Sequence, residues 1–485
     1  MNRRYFLIRL LTVFFTVTAL NIRVFAILPS GDDPQKAKYV FLFIGDGMGL
    51  AQVNLTEAYL AALEDKVGFE HLNFTKFPRV GLASTYANDQ MITCSAAAGT
   101  ALATGHKTNI GRISMDPSGS EPYESIATKA KSVGYKVGVV TSVSIDHATP
   151  AVFYAHQPDR DKYFEIGVQL TWSNFDFFAG GGFMIPDGTW EGTEINLIQL
   201  AKDNGFNVVS TREGFEKLVP GSGRSLVLSP RIASEASLPF SLDMDPGDIT
   251  LADYTSKAIT MLDNENGFFL TVEGGKIDWA CHKNDGAAVI QEVISFDKAV
   301  ANAVAFYDKH PDETLIIVTA DHETGGLALA NKETGYGSHI GLLKYQKSSV
   351  EELSNIMAQF RVNKSGDSEA DFNRMLKVLE SDMGLNSRQR NTLLSEDEIS
   401  QLKKSFVESV YGTTVEKSNY GNDEPFMDIA VGILDKKASI AWSSKSHTCV
   451  NVPVYAIGTG AERFSGYIDN TDIPKLIGEL MQIEM

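Results

Sequence analysis

The sequence predicts an α/β protein: a doubly wound, mostly parallel sheet sandwiched by helices, with a mainly helical insertion at about 341–440. Two observations predict the sheet. Apolar runs at 40–44, 268–272 and 315–320 are rich in β-branched and aromatic residues and end abruptly in Gly45-Asp46-Gly47, Glu273-Gly274-Gly275 and Asp321-His322-Glu323. Such runs are the signature of strands buried on both faces. From Lys36 to about Gly335, strand-like and helix-like stretches alternate, the order a parallel sheet with crossover helices requires. A third observation predicts the insertion, since the composition after Ile340 shifts to charged, amphipathic stretches.

Residues 1–26 read as a secretory signal peptide. Arg3 and Arg4 precede an apolar stretch at 5–20, and Val24 and Ala26 supply small residues for cleavage. The run contains Arg9 and falls short of the ~20 residues a spanning helix needs, so no stable membrane anchor is expected. What remains, 27–485, is expected to form a single catalytic domain that includes the insertion. Within it 80–86 reads as a strand and 95–104 as a helix of small residues. A helix at 123–132 leads to the buried strand 136–141, and Gly180-Gly181-Gly182 reads as a turn. A helix at 194–204 precedes the strand 206–210. Helices at 249–263 and 286–308 precede the second and third apolar runs. In the insertion 348–360, 368–383 and 395–410 have helical periodicity. The strand 452–457 returns the chain to the sheet, and a helix at 473–481 closes it.

The formal charge is −18, and −22 without the four arginines of the signal peptide. Phosphate backbones and anionic membranes are bound by basic patches, so nucleic-acid binding is not expected. Three cysteines, Cys94, Cys281 and Cys449, are too few for a disulfide scaffold and read as reduced, mostly buried thiols.

In open α/β sheets ligands gather outside the carboxyl ends of the strands, and there all three apolar runs deliver metal-type donors. Asp278 and His282, at i and i+4, face one side of a helix and together suit zinc. Alone they would read as a surface ion pair, but they follow Glu273 closely. Asp321 and His322 can reach one site only where the chain leaves the pleat, and Gly325-Gly326 makes that turn plausible. His447 precedes the strand 452–457. His71, His106, His156, His310 and His339 have no comparable context and read as structural or surface residues. Ser95 opens the small-residue helix, where unsatisfied N–H groups and the helix dipole favour phosphate. A plain N-cap serine is the commoner use of that position. No histidine adjoins Ser95 in sequence, so activation of its hydroxyl would fall to a metal ion.

Seven motifs then stand in order. They are Phe43-Ile44-Gly45-Asp46-Gly47-Met48-Gly49, Ser95-Ala96-Ala97-Ala98-Gly99-Thr100-Ala101, Ala148-Thr149-Pro150, Arg160, Val272-Glu273-Gly274-Gly275-Lys276-Ile277-Asp278, Thr319-Ala320-Asp321-His322-Glu323 and His447-Thr448. Together they resemble the alkaline phosphatases from about Tyr39 to Ile473. The resemblance implies hydrolysis of small-molecule phosphate monoesters through a phosphoserine on Ser95, with two Zn2+ and one Mg2+. It implies Asp278, His282 and His447 as ligands of the first zinc, and Asp46, Asp321 and His322 as ligands of the second. Asp46, Thr149 and Glu273 would hold magnesium, a hard ion suited to oxygen donors. Arg160 would grip two phosphate oxygens with its planar guanidinium. A homodimer is also implied, while the signal peptide points to export, with the periplasm as the compartment that fits best and secretion or the cell surface as alternatives.

The chain departs from the family pattern in three places. Cys94 stands where an aspartate often orients the phosphate-binding arginine, which predicts a looser Arg160. His147 and Trp279 occupy variable positions expected to tune the third metal site from its outer shell. The segment after Cys94 lacks the Cys-x-Pro-x-Arg pattern of a sulfatase. Two other functions compete: a phosphodiesterase or nucleotide pyrophosphatase of the same superfamily, and a binding protein that has lost catalysis. Thr149, Glu273 and Arg160 argue against the diesterase, and the complete ligand set argues against the binding protein.

Overall fold

Tyr39–Ile44 (β1) is buried at every position, as are Phe268–Glu273 and Thr314–Thr319. A strand of six apolar or β-branched residues is stable in that state only when helices cover both faces of its sheet. The computed structural model describes residues 36–412, 417–418, 421–422 and 424–485. The expected signal peptide lies outside them.

The central sheet has ten strands. In chain order they are β1, Arg79–Ser84 (β2), Lys136–Thr141 (β3), Phe177–Gly180 (β4), Asn207–Val209 (β5), Ser225–Leu228 (β6), Phe268–Glu273 (β7), Thr314–Thr319 (β8), Val452–Gly458 (β9) and Gly466–Asp469 (β10). Their spatial order is β10-β2-β9-β8-β1-β7-β3-β4-β6-β5. From β8 to β5 every pairing is parallel. β9 runs antiparallel to both β8 and β2, and β10 pairs parallel to β2. The sheet is therefore mostly parallel, with β9, the next-to-last strand in the chain, as its antiparallel member. β4 and β6 carry no alternation and only four residues each, so sequence pattern passed over them.

The main helices are Leu50–Leu63 (α1), Ser95–Thr104 (α2), Ile126–Ser132 (α3), Tyr163–Trp172 (α4), Leu251–Leu262 (α5), Lys276–His282 (α6) and Gly286–Tyr307 (α7). Capping explains why several begin later than periodicity predicts. Ser125 caps α3 by accepting from Thr128 N at 3.1 Å. Thr250 and Asp253 form a reciprocal capping box on α5.

Within 341–440 lie Val350–Val362 (α8), Ser368–Val378 (α9), Glu396–Tyr411 (α10) and Pro425–Lys437 (α11). They share a second apolar core built on Leu353, Met357, Phe372, Phe406, Phe426 and Leu434, completed by Leu55 and Tyr59 of α1 and Ile290 of α7. Asp285 ties this unit to the sheet layer. It caps α7 through Ala288 N (3.0 Å) and also accepts from Val350 N (2.9 Å) and Gln346 Nε2 (2.7 Å). Asp472–Met481 (α12) closes the chain.

The cysteine expectation needs correction. All three thiols are free, but only Cys281 is buried; Cys94 is half-buried and Cys449 exposed.

Candidate metal centre

Register brings the donors together. Ile44 pairs with both Thr319 and Glu273, and Glu273 pairs with Thr141. The chain segments leaving β1, β7, β8 and β3 therefore emerge side by side. The turn after β1 needs Gly47, whose φ is +70° and where a Cβ would lie 2.8 Å from Asp278 Oδ1. Gly47 N donates to Asp321 Oδ1 at 3.2 Å. Gly325 and Gly326 also have positive φ, so the chain leaves the pleat and Asp321 Oδ2 comes within 3.2 Å of His322 Nε2.

The partners of three imidazoles fix their tautomers. His282 Nδ1 faces the Lys445 carbonyl oxygen at 2.6 Å and His447 Nδ1 the Thr93 carbonyl oxygen at 2.8 Å. Thr324 Oγ1 gives its one proton to Asp278 Oδ1 at 2.5 Å, so at 3.2 Å from His322 Nδ1 it is an acceptor. Each Nδ1 thus carries the proton, and each Nε2 presents a lone pair. His282 Nε2 and His447 Nε2 lie 3.1 Å apart, with Asp278 Oδ2 3.2 Å from the former and Oδ1 3.7 Å from the latter. Two lone pairs facing each other beside a carboxylate repel unless a cation lies between them. His322 Nε2 likewise faces Asp46 Oδ1 at 3.4 Å and Asp321 Oδ2 at 3.2 Å. The rings of His322 and His447 stack with centroids 3.6 Å apart, so the two sets adjoin.

Beside the second set, Thr149 Oγ1 donates to Asp46 Oδ2 at 3.2 Å, and Glu273 accepts from Thr141 Oγ1. His147 belongs here, nearer than the sequence suggested. Its Nδ1 is 4.0 Å from Glu273 Oε1, and Asp46, His147 and Glu273 each offer an atom to one shared position. Its tautomer matches the other three, because Arg160 Nη2 donates to His147 Nε2 at 3.2 Å and leaves the ring proton on Nδ1.

The donor set fits metal ions. Asp46 Oδ1, Asp321 Oδ2 and Glu273 Oε1 are buried without hydrogen-bond partners, a state that native proteins otherwise avoid. Burial and then the neighbouring Asp321 push the Asp46 carboxyl well above the usual range. Burial and then Asp278 push Asp321 up to about 8, and burial lifts Glu273 to about 7. Burial holds His322 in its neutral, ligating form. Burial also raises the Asp278 carboxyl, but His282 and His447 outweigh it and hold Asp278 below the usual range. A buried group of carboxylates in this condition needs added positive charge.

Ser95 is the first residue of α2, and its Oγ lies 3.3 Å from His322 Nε2, the same nitrogen that faces Asp46 and Asp321. Cys94, the N-cap residue of α2, accepts through Sγ from Gly111 N at 3.2 Å; the Gly111 carbonyl in turn accepts from Arg160 N at 2.7 Å. Trp279 is buried, with its ring edge-to-face against His147 at 5.9 Å. Sequence reasoning passed over Thr324, Thr141 and Gln52, whose Nε2 donates to Glu323 Oε1 and to the Thr324 carbonyl oxygen, each at 2.8 Å. Thr324 follows Asp321-His322-Glu323 directly and could have been read as part of that motif; nothing marks Gln52.

A serine hydroxyl at a helix N-terminus, beside buried carboxylate–imidazole groups on the carboxyl rim of an α/β sheet, defines a metal-dependent phosphoryl hydrolase. The family model for alkaline phosphatase matches residues 37–483, and the chain belongs to that family of phosphomonoesterases. It is 31% identical over 492 residues to alkaline phosphatase 3 of Bacillus subtilis, with 96% of each chain covered. It is 28% identical over 476 residues to the alkaline phosphatase of Schizosaccharomyces pombe, covering 93% of this chain and 81% of that one. The cold-active alkaline phosphatase of a psychrophilic Shewanella species matches in structure with a TM-score of 0.75 at 28% identity, covering 91% and 99% of the two chains. The enzyme of the Antarctic bacterium TAB5 matches with a TM-score of 0.63 at 26% identity, covering 93% and 100%. A histidine-to-aspartate variant of the TAB5 enzyme has magnesium bound in its M3 site.

Proposed function

We propose that this phosphatase works through a phosphoserine on Ser95. Asp278, His282 and His447 would hold one zinc, Asp46, Asp321 and His322 a second, and Asp46, Thr149 and Glu273 a magnesium. The observation that carries the proposal is His322 Nε2, which Ser95 Oγ, Asp46 Oδ1 and Asp321 Oδ2 all approach within 3.2–3.4 Å. The magnesium of the TAB5 variant supports the third assignment by analogy. When bound, the ions neutralise the carboxylates and act as Lewis acids on the serine and phosphoryl oxygens.

The protein groups then have separate tasks. The α2 N-terminus favours the anionic end of the substrate near Ser95. Arg160 clamps two non-bridging oxygens. Ser95 Oγ gives up its proton to solvent and bonds to phosphorus as the ester P–O bond breaks, and the alcohol leaves with a proton from solvent. Water then cleaves the Ser95 ester, releasing phosphate and restoring the hydroxyl. The pattern at 1–26 supports export, with the periplasm as the compartment, for a single domain at 27–485. The family resemblance supports a homodimer.

The test compares p-nitrophenyl phosphate with bis-p-nitrophenyl phosphate at alkaline pH, before and after chelation, for the wild type and Ser95→Ala. Monoester preference should disappear on chelation, return with zinc plus magnesium, and be absent in Ser95→Ala with its ions still bound. Preference for the diester, or undiminished turnover by Ser95→Ala, would overturn the proposal.

A further inference from the structure

Lys276 lies between Glu273 and Asp278, and the mechanism above makes no use of its side chain. The side chain is fully buried. A buried ammonium is costly unless it is paired and hydrogen-bonded, and here the compensation comes from several elements. The Nζ lies over the rings of Phe240 and Trp279, 3.7 and 4.6 Å from their centroids. It donates to Ser237 Oγ at 3.2 Å and pairs with Glu351 Oε2 at 3.4 Å. Glu351 belongs to the first turn of α8, in the helical insertion, and its Oε1 accepts from Ser234 N at 3.2 Å.

From Lys276 the contacts continue toward the proposed magnesium position. Trp279 follows one helical turn later on α6, and its indole meets the His147 ring edge-to-face. His147 in turn reaches Glu273 Oε1 on one side and Arg160 Nη2 on the other, at 4.0 and 3.2 Å. A cavity of about 490 Å³ borders Phe240, Trp279 and Glu351, three of the four groups that hold the ammonium. The indole therefore has room to shift if its cation is removed.

We infer that Lys276 is a positioning residue. Paired with Glu351 of the insertion, it fixes Trp279, and through Trp279 the His147 wall of the third ion site. The helical insertion then governs how tightly that site keeps its ion. This rests on the assignment of a magnesium to Asp46, Thr149 and Glu273. A purely structural lysine would stabilise the fold and leave ion affinity unchanged.

The experiment measures bound magnesium and zinc per chain by mass spectrometry after equilibration at graded free Mg2+, with zinc saturating. The proteins are the wild type, Lys276→Met, Lys276→Arg, Glu351→Gln and the Lys276→Met/Glu351→Gln pair. Loss of an outer-shell partner typically weakens metal affinity about 10- to 100-fold. Lys276→Met should therefore raise the half-saturating Mg2+ about 10-fold, with Glu351→Gln shifting it less in the same direction. Zinc content should hold, Lys276→Arg should recover most of the loss, and the pair should be no worse than Lys276→Met alone. Because Lys276→Met can fail to fold, the milder Glu351→Gln carries the test by itself if it must. Unchanged magnesium midpoints alongside a lowered Tm would make Lys276 merely structural and overturn the inference. A wild type that takes up no third ion would overturn the assignment of the site, and this inference with it.

Discussion

Replacing Thr324 by valine should weaken both proposed zinc sites at once. The hydroxyl is fully buried and touches one ligand from each set, Asp278 Oδ1 at 2.5 Å and His322 Nδ1 at 3.2 Å. Valine keeps the shape and removes the donor and the acceptor together. Asp278 loses a hydrogen bond it cannot replace from water, a loss of about 1–3 kcal/mol for a buried acceptor. His322 loses the acceptor that keeps its proton on Nδ1, so the proton can move to Nε2, the atom that must face the ion. Outer-shell changes of this kind weaken metal affinity about 10- to 100-fold, or about 1.4–2.8 kcal/mol at ~1.4 kcal/mol per decade. The two estimates agree. The assay titrates metal-free Thr324→Val and wild type in zinc buffers, following bound zinc and p-nitrophenyl phosphate turnover together. The variant's midpoint for both zinc ions should move to higher free zinc, and Thr324→Ser, which restores the hydroxyl, should move it back. A valine variant with the wild-type zinc midpoint would refute the claim that Thr324 sets the His322 tautomer.

The metal-free protein should lose stability as pH rises from about 4 to about 8, because folded Asp321 and Glu273 keep protons that the unfolded chain releases above about pH 4. Tm measured with and without chelator across that range checks this: the fall should appear only in the chelated protein, and a chelated Tm that rises with pH would refute it. Cys94→Asp should tighten the hold on phosphate and slow its release, since residue 94 bonds Gly111 N and the Gly111 carbonyl accepts from Arg160 N. Inhibition by inorganic phosphate should strengthen while kcat falls; no change in either would show that residue 94 does not act on Arg160.

The three strands that place Asp46, Glu273 and Asp321 were legible because each is mostly apolar and ends at or beside its carboxylate. Asp278 and His282 were legible because the i, i+4 spacing holds on α6 as it does on any helix. The positions of β4, β6 and β10 were not, because short strands at or near a sheet margin carry too little pattern to stand apart from loops. Thr324 and Gln52 were hidden for another reason. Their roles depend on atoms distant in sequence, such as Asp278 for Thr324 and Glu323 for Gln52, and no local spacing records such contacts. Lys276 stood inside a motif, yet its partner Glu351 comes from the insertion, a segment whose composition promised only an amphipathic helix.

What makes one site from so many segments is a division of labour between the sheet and the turns above it. The sheet supplies three of the four carboxylates, and α6 the fourth, Asp278. With Ile44, Thr319 and Glu273 held in parallel register, Asp46, Glu273 and Asp321 are placed by strands buried on both faces. The histidines are placed less directly. His322 follows β8 but depends on Thr324 for its tautomer. His447 is carried by the short strand His447–Thr448, which pairs with Glu323–Thr324 so that Thr324 lies opposite His447. That one bridge sets His447 beside His322 and puts the Thr324 hydroxyl between Asp278 and the ring it orients. Both proposed zinc sites therefore depend on a two-residue ladder at the surface of the sheet as much as on the sheet itself. The antiparallel strand β9, which follows His447 directly, brings that ladder to the rim.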